Sequence, residues 1–205
     1  MSLADGGTPG SCHRGPMNFD LKTVVFTAAG LILMGVAAGE LGGTVERSIV
    51  ERDGFLVIGI EARTSNAKET TPEAVIPRHW DRLFKEGVLG GIPDKADSDI
   101  VAVYTDYASD KGGEYTYLLG AKVADASVVP KGMVVKKIPR SRYAVFTTDK
   151  GPVAKVVSAA WREIWELEDH AGLGGQRTYQ ADFEVYDQRS RDPQNSQADI
   201  YVGLR

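Results

Sequence analysis

The chain has 205 residues, with 24 Lys+Arg against 28 Asp+Glu and a formal net charge of −4. Its 42% hydrophobic and 25% charged residues are globular proportions, which excludes global disorder, and the length suits one domain with a sizeable core. A single cysteine, Cys12, excludes a disulfide framework, a multi-cysteine zinc site and an iron–sulfur cluster, while mild acidity without a basic stripe argues against a dedicated nucleic-acid binder.

Residues 1–16 are rich in Gly, Ser and Pro and read as a tail or translated leader. From Thr23 to Gly39 the chain runs 17 residues without a charge. That is shorter than the roughly 20 apolar residues of a spanning helix. Two readings stand. One is a secretory signal or anchor with Val36-Ala37-Ala38 as a small-residue cleavage site; the other is an upstream extension with Met17 as the true start. The second makes the protein cytoplasmic, the first exported or membrane-anchored through residues 23–39. Either way residues 1–44 lie outside the fold, and the domain is expected over 45–205.

The folded part reads as two similar halves, about 45–125 and 132–205. In the first, the apolar run 54–62 suits a buried strand. Residues 73–87 form a helix with Ile76, Trp80, Leu83 and Phe84 on one stripe, stopped by Gly90-Gly91. Strands follow at 99–106 and 114–120, joined by a glycine-containing turn. The second half repeats the order: a strand from Ser141, a helix from Gly151-Pro152 through about Glu168, and strands at 180–187 and 199–204. Single residues correspond. His79-Trp80 sits 81 residues before Ala160-Trp161, and Ala102-Val103-Tyr104 sits 82 residues before Glu184-Val185-Tyr186. Two β-α-β-β units with matching apolar stripes predict an α+β fold with pseudo-twofold symmetry. It has one antiparallel sheet, helices on one face, and a groove at the seam.

Alternation sends Phe183 and Val185 to one face and Glu184 and Tyr186 to the other. With the apolar pair packed on the helices, Glu184 points toward the open groove, and its repeat partner Ala102 leaves space there. Tyr104 and Tyr186 line the same face, joined by Tyr115, Tyr117 and Tyr201 from neighbouring strands.

The segments 57–66, 102–107, 113–120, 142–146 and 182–187 resemble the GyrI-like small-molecule-binding domain family, which is also the effector-binding domain of some AraC-type and MerR-type regulators. Within it, the stand-alone, integron-cassette-like branch is the best match. The resemblance covers about Val45 to Arg205. It implies a groove for amphipathic, often cationic, aromatic molecules, anchored by a buried glutamate at Glu184 with Tyr201 on the last strand. It also implies aromatic groove residues at Trp161 and Trp165. No helix-turn-helix precedes the domain, only the tail and apolar run, so any DNA contact is expected from a separate protein. No cofactor is expected; a homodimer is a further expectation.

The chemistry suits that reading. A carboxylate among rings is unfavourable to desolvate alone. An organic cation offsets that penalty, and tyrosine and tryptophan faces add about 0.5–2 kcal/mol each. The ordinary alternative is a Glu184 paired with an arginine on the sheet surface. Trp80, Trp161 and Trp165 at helical spacing divide between core and ligand wall. The three histidines have no zinc spacing, no nucleophile elbow or phosphate loop occurs, and Lys136-Lys137 reads as solvated charge. Two other functions compete: a small-molecule hydrolase using Glu184 with Tyr186 or Tyr201 as acid and base, and a protein-binding role.

Overall fold

The computed structural model describes residues 46–205. The tail and the apolar run, with the signal, anchor and start-site readings attached to them, lie outside the described residues. Among those described, no helix is long and apolar enough to cross a membrane.

In chain order the elements are β1 (Glu46–Arg52), β2 (Phe55–Ser65), the one-turn α1 (Asn66–Glu69), α2 (Ile76–Lys85), the one-turn α3 (Val88–Gly91), β3 (Ile100–Thr105) and β4 (Glu114–Val123), then β5 (Val134–Ile138), β6 (Ser141–Thr147), α4 (Val153–Asp169), β7 (Ala181–Tyr186) and β8 (Asp199–Leu204). All eight strands join one antiparallel sheet in the order β1-β6-β8-β7-β3-β4-β2-β5. The fold is α+β, and the six strands read from the sequence are present.

The sheet order is symmetric about the β3/β7 pair, which is the seam between the repeats. Each repeat also has a leading strand that the sequence reading lacks, and the two are exchanged. β1 of the first half pairs with β6 of the second, and β5 of the second pairs with β2 of the first. These two close the sheet's edges. Their adjacent charges (Arg47, Glu51 and Arg52 in one, Lys136 and Lys137 in the other) interrupt any apolar strand period, and such charges also discourage edge-to-edge pairing. Lys136 is not merely solvated: its ammonium reaches Asp106 at 2.8 Å and Glu61 at 3.3 Å.

Helix α2 begins at Ile76, the first residue of the apolar stripe and three residues later than the expected start at Glu73. The Glu69 carboxylate accepts the N–H groups of Val75 (2.9 and 3.1 Å) and Ile76 (3.0 Å), which caps the helix there, and Pro77 needs no donor in the first turn. Trp80 and Leu83 of α2 pack with Trp161 and Ile164 of α4 on one sheet face, against Ile60, Ala102, Tyr104, Tyr117, Phe146 and Ile200. The opposite face is also buried, around Val57, Val103, Leu118, Tyr143, Phe183 and Tyr201, and among the described residues its cluster holds no helical residue. It is covered by curvature. Phe55 of β2 and Phe183 of β7, two intervening strands apart, meet with ring centroids 5.1 Å apart. In a flat sheet that separation would be roughly three strand spacings, about 14 Å.

Gly59 and Gly120 are register partners of β2 and β4. A Cβ on Gly120 would lie 2.0 Å from the Ile58 carbonyl oxygen, and one on Gly59 would lie 2.3 Å from that of Leu119. Both obstacles are backbone, so no side chain can rotate away. Gly120→Ala is expected to destabilise the domain by about 3 kcal/mol or more, the upper range of overpacking. For this size that lowers Tm by roughly 6–12 °C. A Tm within 2 °C of wild type, on the scale of about 2–4 °C per kcal/mol, would mean the strands spread at no cost.

Candidate functional site

Glu184 lies on β7 at the seam, paired in register with Ala102 of β3. Its side chain faces the helices, and Phe183 and Val185 belong to the other face. This reverses the expected packing, in which Phe183 and Val185 met the helices. The reason is the curl: the strip bearing Phe183 finds its apolar partners across the concave face, leaving the glutamate strip to meet α4. Glu184 is therefore 1% exposed rather than open to a groove.

Three donors hold it. Tyr104 donates its hydroxyl to Oε1 at 2.8 Å, the Trp161 indole Nε1 donates to the same oxygen at 2.6 Å, and Tyr186 donates to Oε2 at 2.7 Å. Tyr104 and Tyr186 are repeat equivalents, so the duplication supplies a matched pair of phenols, one per carboxylate oxygen. The Glu184/Ala102 difference supplies a single charge between them. Further rings close the box. Tyr104 meets Tyr115, Tyr117 and Trp161 at centroid distances of 5.5, 5.3 and 5.3 Å. Trp80 lies edge-on to Tyr186 at 4.9 Å, and the half-buried Trp165 is 6.2 Å from Trp161.

Burial pushes the Glu184 pKa above the ordinary carboxylate value, and the three hydrogen bonds from Trp161, Tyr186 and Tyr104 pull against it without cancelling it. Burial, followed by the charge of Glu184, pushes the phenols of Tyr104, Tyr117 and Tyr186 well up, so they stay protonated as donors.

Glu184 forms no ion pair with a Lys or Arg among the described residues, which sets aside the surface-arginine alternative. Asp182, two residues earlier on the same strand and on the same face, is also fully buried and is treated differently. Arg177 Nη2 reaches its Oδ2 at 2.7 Å, Tyr107 donates to the same oxygen at 2.6 Å, and the Gly203 N–H donates to Oδ1 at 2.9 Å. Arg177 also pairs with Glu168 at 3.0 Å and lies over the rings of Tyr179 (4.4 Å) and Trp161 (5.7 Å). The indole that donates to Glu184 thus rests on the paired cation next door. Asp182, Arg177 and Glu168 were not singled out in the sequence, because nothing in their spacing brings them together.

Of the expected site residues, Glu184, Tyr104, Tyr186, Trp161, Tyr117 and Trp80 converge, with Trp165 behind Trp161. Tyr201 does not. Its register partner is Phe183, on which it stacks at 4.4 Å, so it faces the concave side and receives a hydrogen bond from Arg52 Nη2 at 3.0 Å. The earlier alternation placed it by strand position alone, without the pairing that fixes its face. The acid/base pair Glu184–Tyr201 is accordingly impossible across the sheet. Among the described residues, no group of three or more His, Cys, Asp or Glu is placed to hold a metal ion.

A duplicated α+β sheet with a buried carboxylate in an aromatic box at its seam defines the class of GyrI-like effector-binding domains. Residues 48–204 match the Cass2 family, described as integron-associated effector binding protein, and the chain belongs to that family. Among its relatives, YobU of Bacillus subtilis (strain 168), provisionally named a transcriptional regulator protein, is 37% identical over 148 residues, covering 72% of this chain and 90% of YobU. The transcriptional regulator BrlR of Pseudomonas aeruginosa is 35% identical over 166 residues, and 76% of this chain spans 54% of BrlR, about half its length. An integron cassette protein from Vibrio cholerae superposes with a TM-score of 0.61 at 26% identity, covering 78% of this chain and 95% of its own. SAV2435, solved with tetraphenylphosphonium bound, shares the fold at a TM-score of 0.65 and 17% identity, covering 78% and 94%.

Proposed function

We propose that this chain is a non-catalytic receptor for amphipathic, cationic aromatic small molecules, with Glu184 as their counter-charge. One observation carries the reading: the buried Glu184 carboxylate is held by neutral donors alone, while neighbouring Asp182 has its own arginine. Neutral donors stabilise a carboxylate but leave its charge, and an enclosed net charge is costly until a cation arrives. Rings on several sides supply faces for a flat or lipophilic cation without demanding one hydrogen-bond pattern. The Trp161 indole covers Oε1, so the ligand reaches the charge by displacing that ring or the stretch of α4 that carries it. The ligand held by the fold neighbour SAV2435 guides the choice of probe, and the relatives' names as transcriptional regulators support a sensing role.

Titration with tetraphenylphosphonium from pH 5 to 8, followed by tryptophan fluorescence, tests the reading. Micromolar binding that tightens as pH rises and then levels off is expected, because the cation needs the ionised carboxylate and burial delays ionisation. The fold without ligand has the opposite sign. A folded pKa above the unfolded one means that the native state holds the proton more tightly. The contribution of Glu184 to stability is therefore greatest below the ordinary carboxylate pKa and falls as pH climbs through the raised value. Absence of binding, or an affinity flat across the range, would overturn the assignment.

A further inference from the structure

Compared by register, the repeats differ in chemistry at buried positions on the helix face, and three of these differences bear on the carboxylate box. Repeat two has Glu184 where repeat one has Ala102. In the other direction, repeat one has His79 at the position of Ala160. It also has Tyr117 opposite Tyr104, where Ala198, one residue beyond the Val185–Asp199 pair, stands for repeat two. One half contributes a carboxylate to the interior and the other an imidazole and a phenol.

Neither of the latter groups is satisfied. His79 is 6% exposed and Tyr117 fully buried, yet both ring nitrogens of His79 and the Tyr117 hydroxyl lack a hydrogen-bond partner. The main-chain carbonyls of Glu61 and Val75 are near His79, and Trp80 is near Tyr117, but none of them meets hydrogen-bonding geometry. The two rings meet edge to face with centroids 5.9 Å apart. Tyr117 in turn packs on Tyr104, whose hydroxyl holds Glu184, so the orphaned groups adjoin the carboxylate box. Buried polar atoms left unpaired are costly, and a native fold that carries several together keeps them for a partner. Burial holds the imidazole below its ordinary pKa, so at neutral pH one nitrogen donates and the other accepts.

We propose that His79 and Tyr117 form a hydrogen-bonding subsite of the ligand pocket, so that the preferred ligand is a cationic aromatic molecule bearing a neutral hydroxyl or carbonyl group on its side toward repeat one. This rests on Glu184 as the cation anchor. The shape of the ligand then follows from the asymmetry of the repeats: charge toward β7, a polar substituent toward α2 and β4.

The test compares tetraphenylphosphonium, which has no hydrogen-bonding group, with its mono-hydroxyphenyl analogues (meta and para) by fluorescence titration. Wild type should bind one hydroxylated analogue at least roughly tenfold more tightly, the scale of one hydrogen bond to otherwise unpaired groups. Tyr117→Phe and His79→Leu should each reduce that preference, read as the ratio of the two affinities within each variant, so that a loss common to both ligands does not count. Equal affinity of wild type for all the phosphoniums overturns the subsite and leaves the Glu184 reading intact, and needs no variant to fold. A preference that survives both substitutions together assigns the hydroxyl to Glu184 and also overturns it. Failure of wild type to bind any phosphonium rejects the anchor, and the subsite with it.

Discussion

Glu184→Gln should lower affinity for tetraphenylphosphonium by about a hundredfold or more, because removing one partner of a desolvated charge pair costs roughly 2–5 kcal/mol. The substitution keeps the size of the side chain; its amide oxygen can accept from Tyr104 and Trp161 while its NH2 donates to the Tyr186 hydroxyl oxygen, so the box should survive. Stability provides the complementary measurement. Wild type with ligand at a hundred times Kd gains about 2.7 kcal/mol, a Tm rise of roughly 5–10 °C for a domain of this size, and Glu184→Gln should show almost none of that rise. Without ligand the variant should be at least as stable as wild type at neutral pH and lose the carboxylate's pH dependence, since the group it removes is one that burial disfavours in its charged form. Equal tetraphenylphosphonium affinity in the two proteins would remove Glu184 from the site.

The second large effect concerns the paired neighbour. Arg177→Met strands the fully buried Asp182 carboxylate and the mostly buried Glu168. Breaking a buried pair from one side costs about 3–5 kcal/mol. That corresponds to a Tm loss of roughly 6–20 °C. Adding Asp182→Asn should recover a substantial part, because the stranded charge goes while the amide oxygen still accepts from the Gly203 N–H and the amide NH2 donates to the Tyr107 hydroxyl oxygen. If the double variant is as unstable as Arg177→Met alone, the loss belongs to the packing of the guanidinium on Tyr179 and Trp161 and not to the charge. The two carboxylates of β7 thus make opposite predictions. The paired one stabilises the fold as long as its partner stays, and the unpaired one weighs on the fold until a ligand comes.

Much of this architecture was legible because it is written twice. The 81- and 82-residue offsets joined helices and strands of the two halves, and apolar runs such as 99–106 and 199–204 located strands within a residue or two. β1 and β5 were not legible, since short edge strands interrupted by adjacent charged residues bury too little to impose an apolar period. The start of α2 escaped for another reason. It is set by a carboxylate seven residues upstream of Ile76, and no local propensity records that.

For the site, alternation along 183–186 separated Glu184 from Phe183, and duplication singled it out against Ala102. Which of the two strips would meet the helices was decided by the curvature of the sheet, a property of eight strands together. Tyr201 was misplaced on the same account, because its face depends on pairing with Phe183 and not on its distance along β8. The contrast between a carboxylate with an arginine and one without exists only in three dimensions. Arg177 reaches Asp182 through a loop that folds back on β7 and β8, pairing with Leu204 in an isolated bridge. The residues alone therefore determined the repeat, the segments that become helix and most of the strands, and the acidic side chain worth attention. Only the tertiary structure decided that this side chain is enclosed and uncompensated, because charge pairing depends on distances that periodicity does not encode.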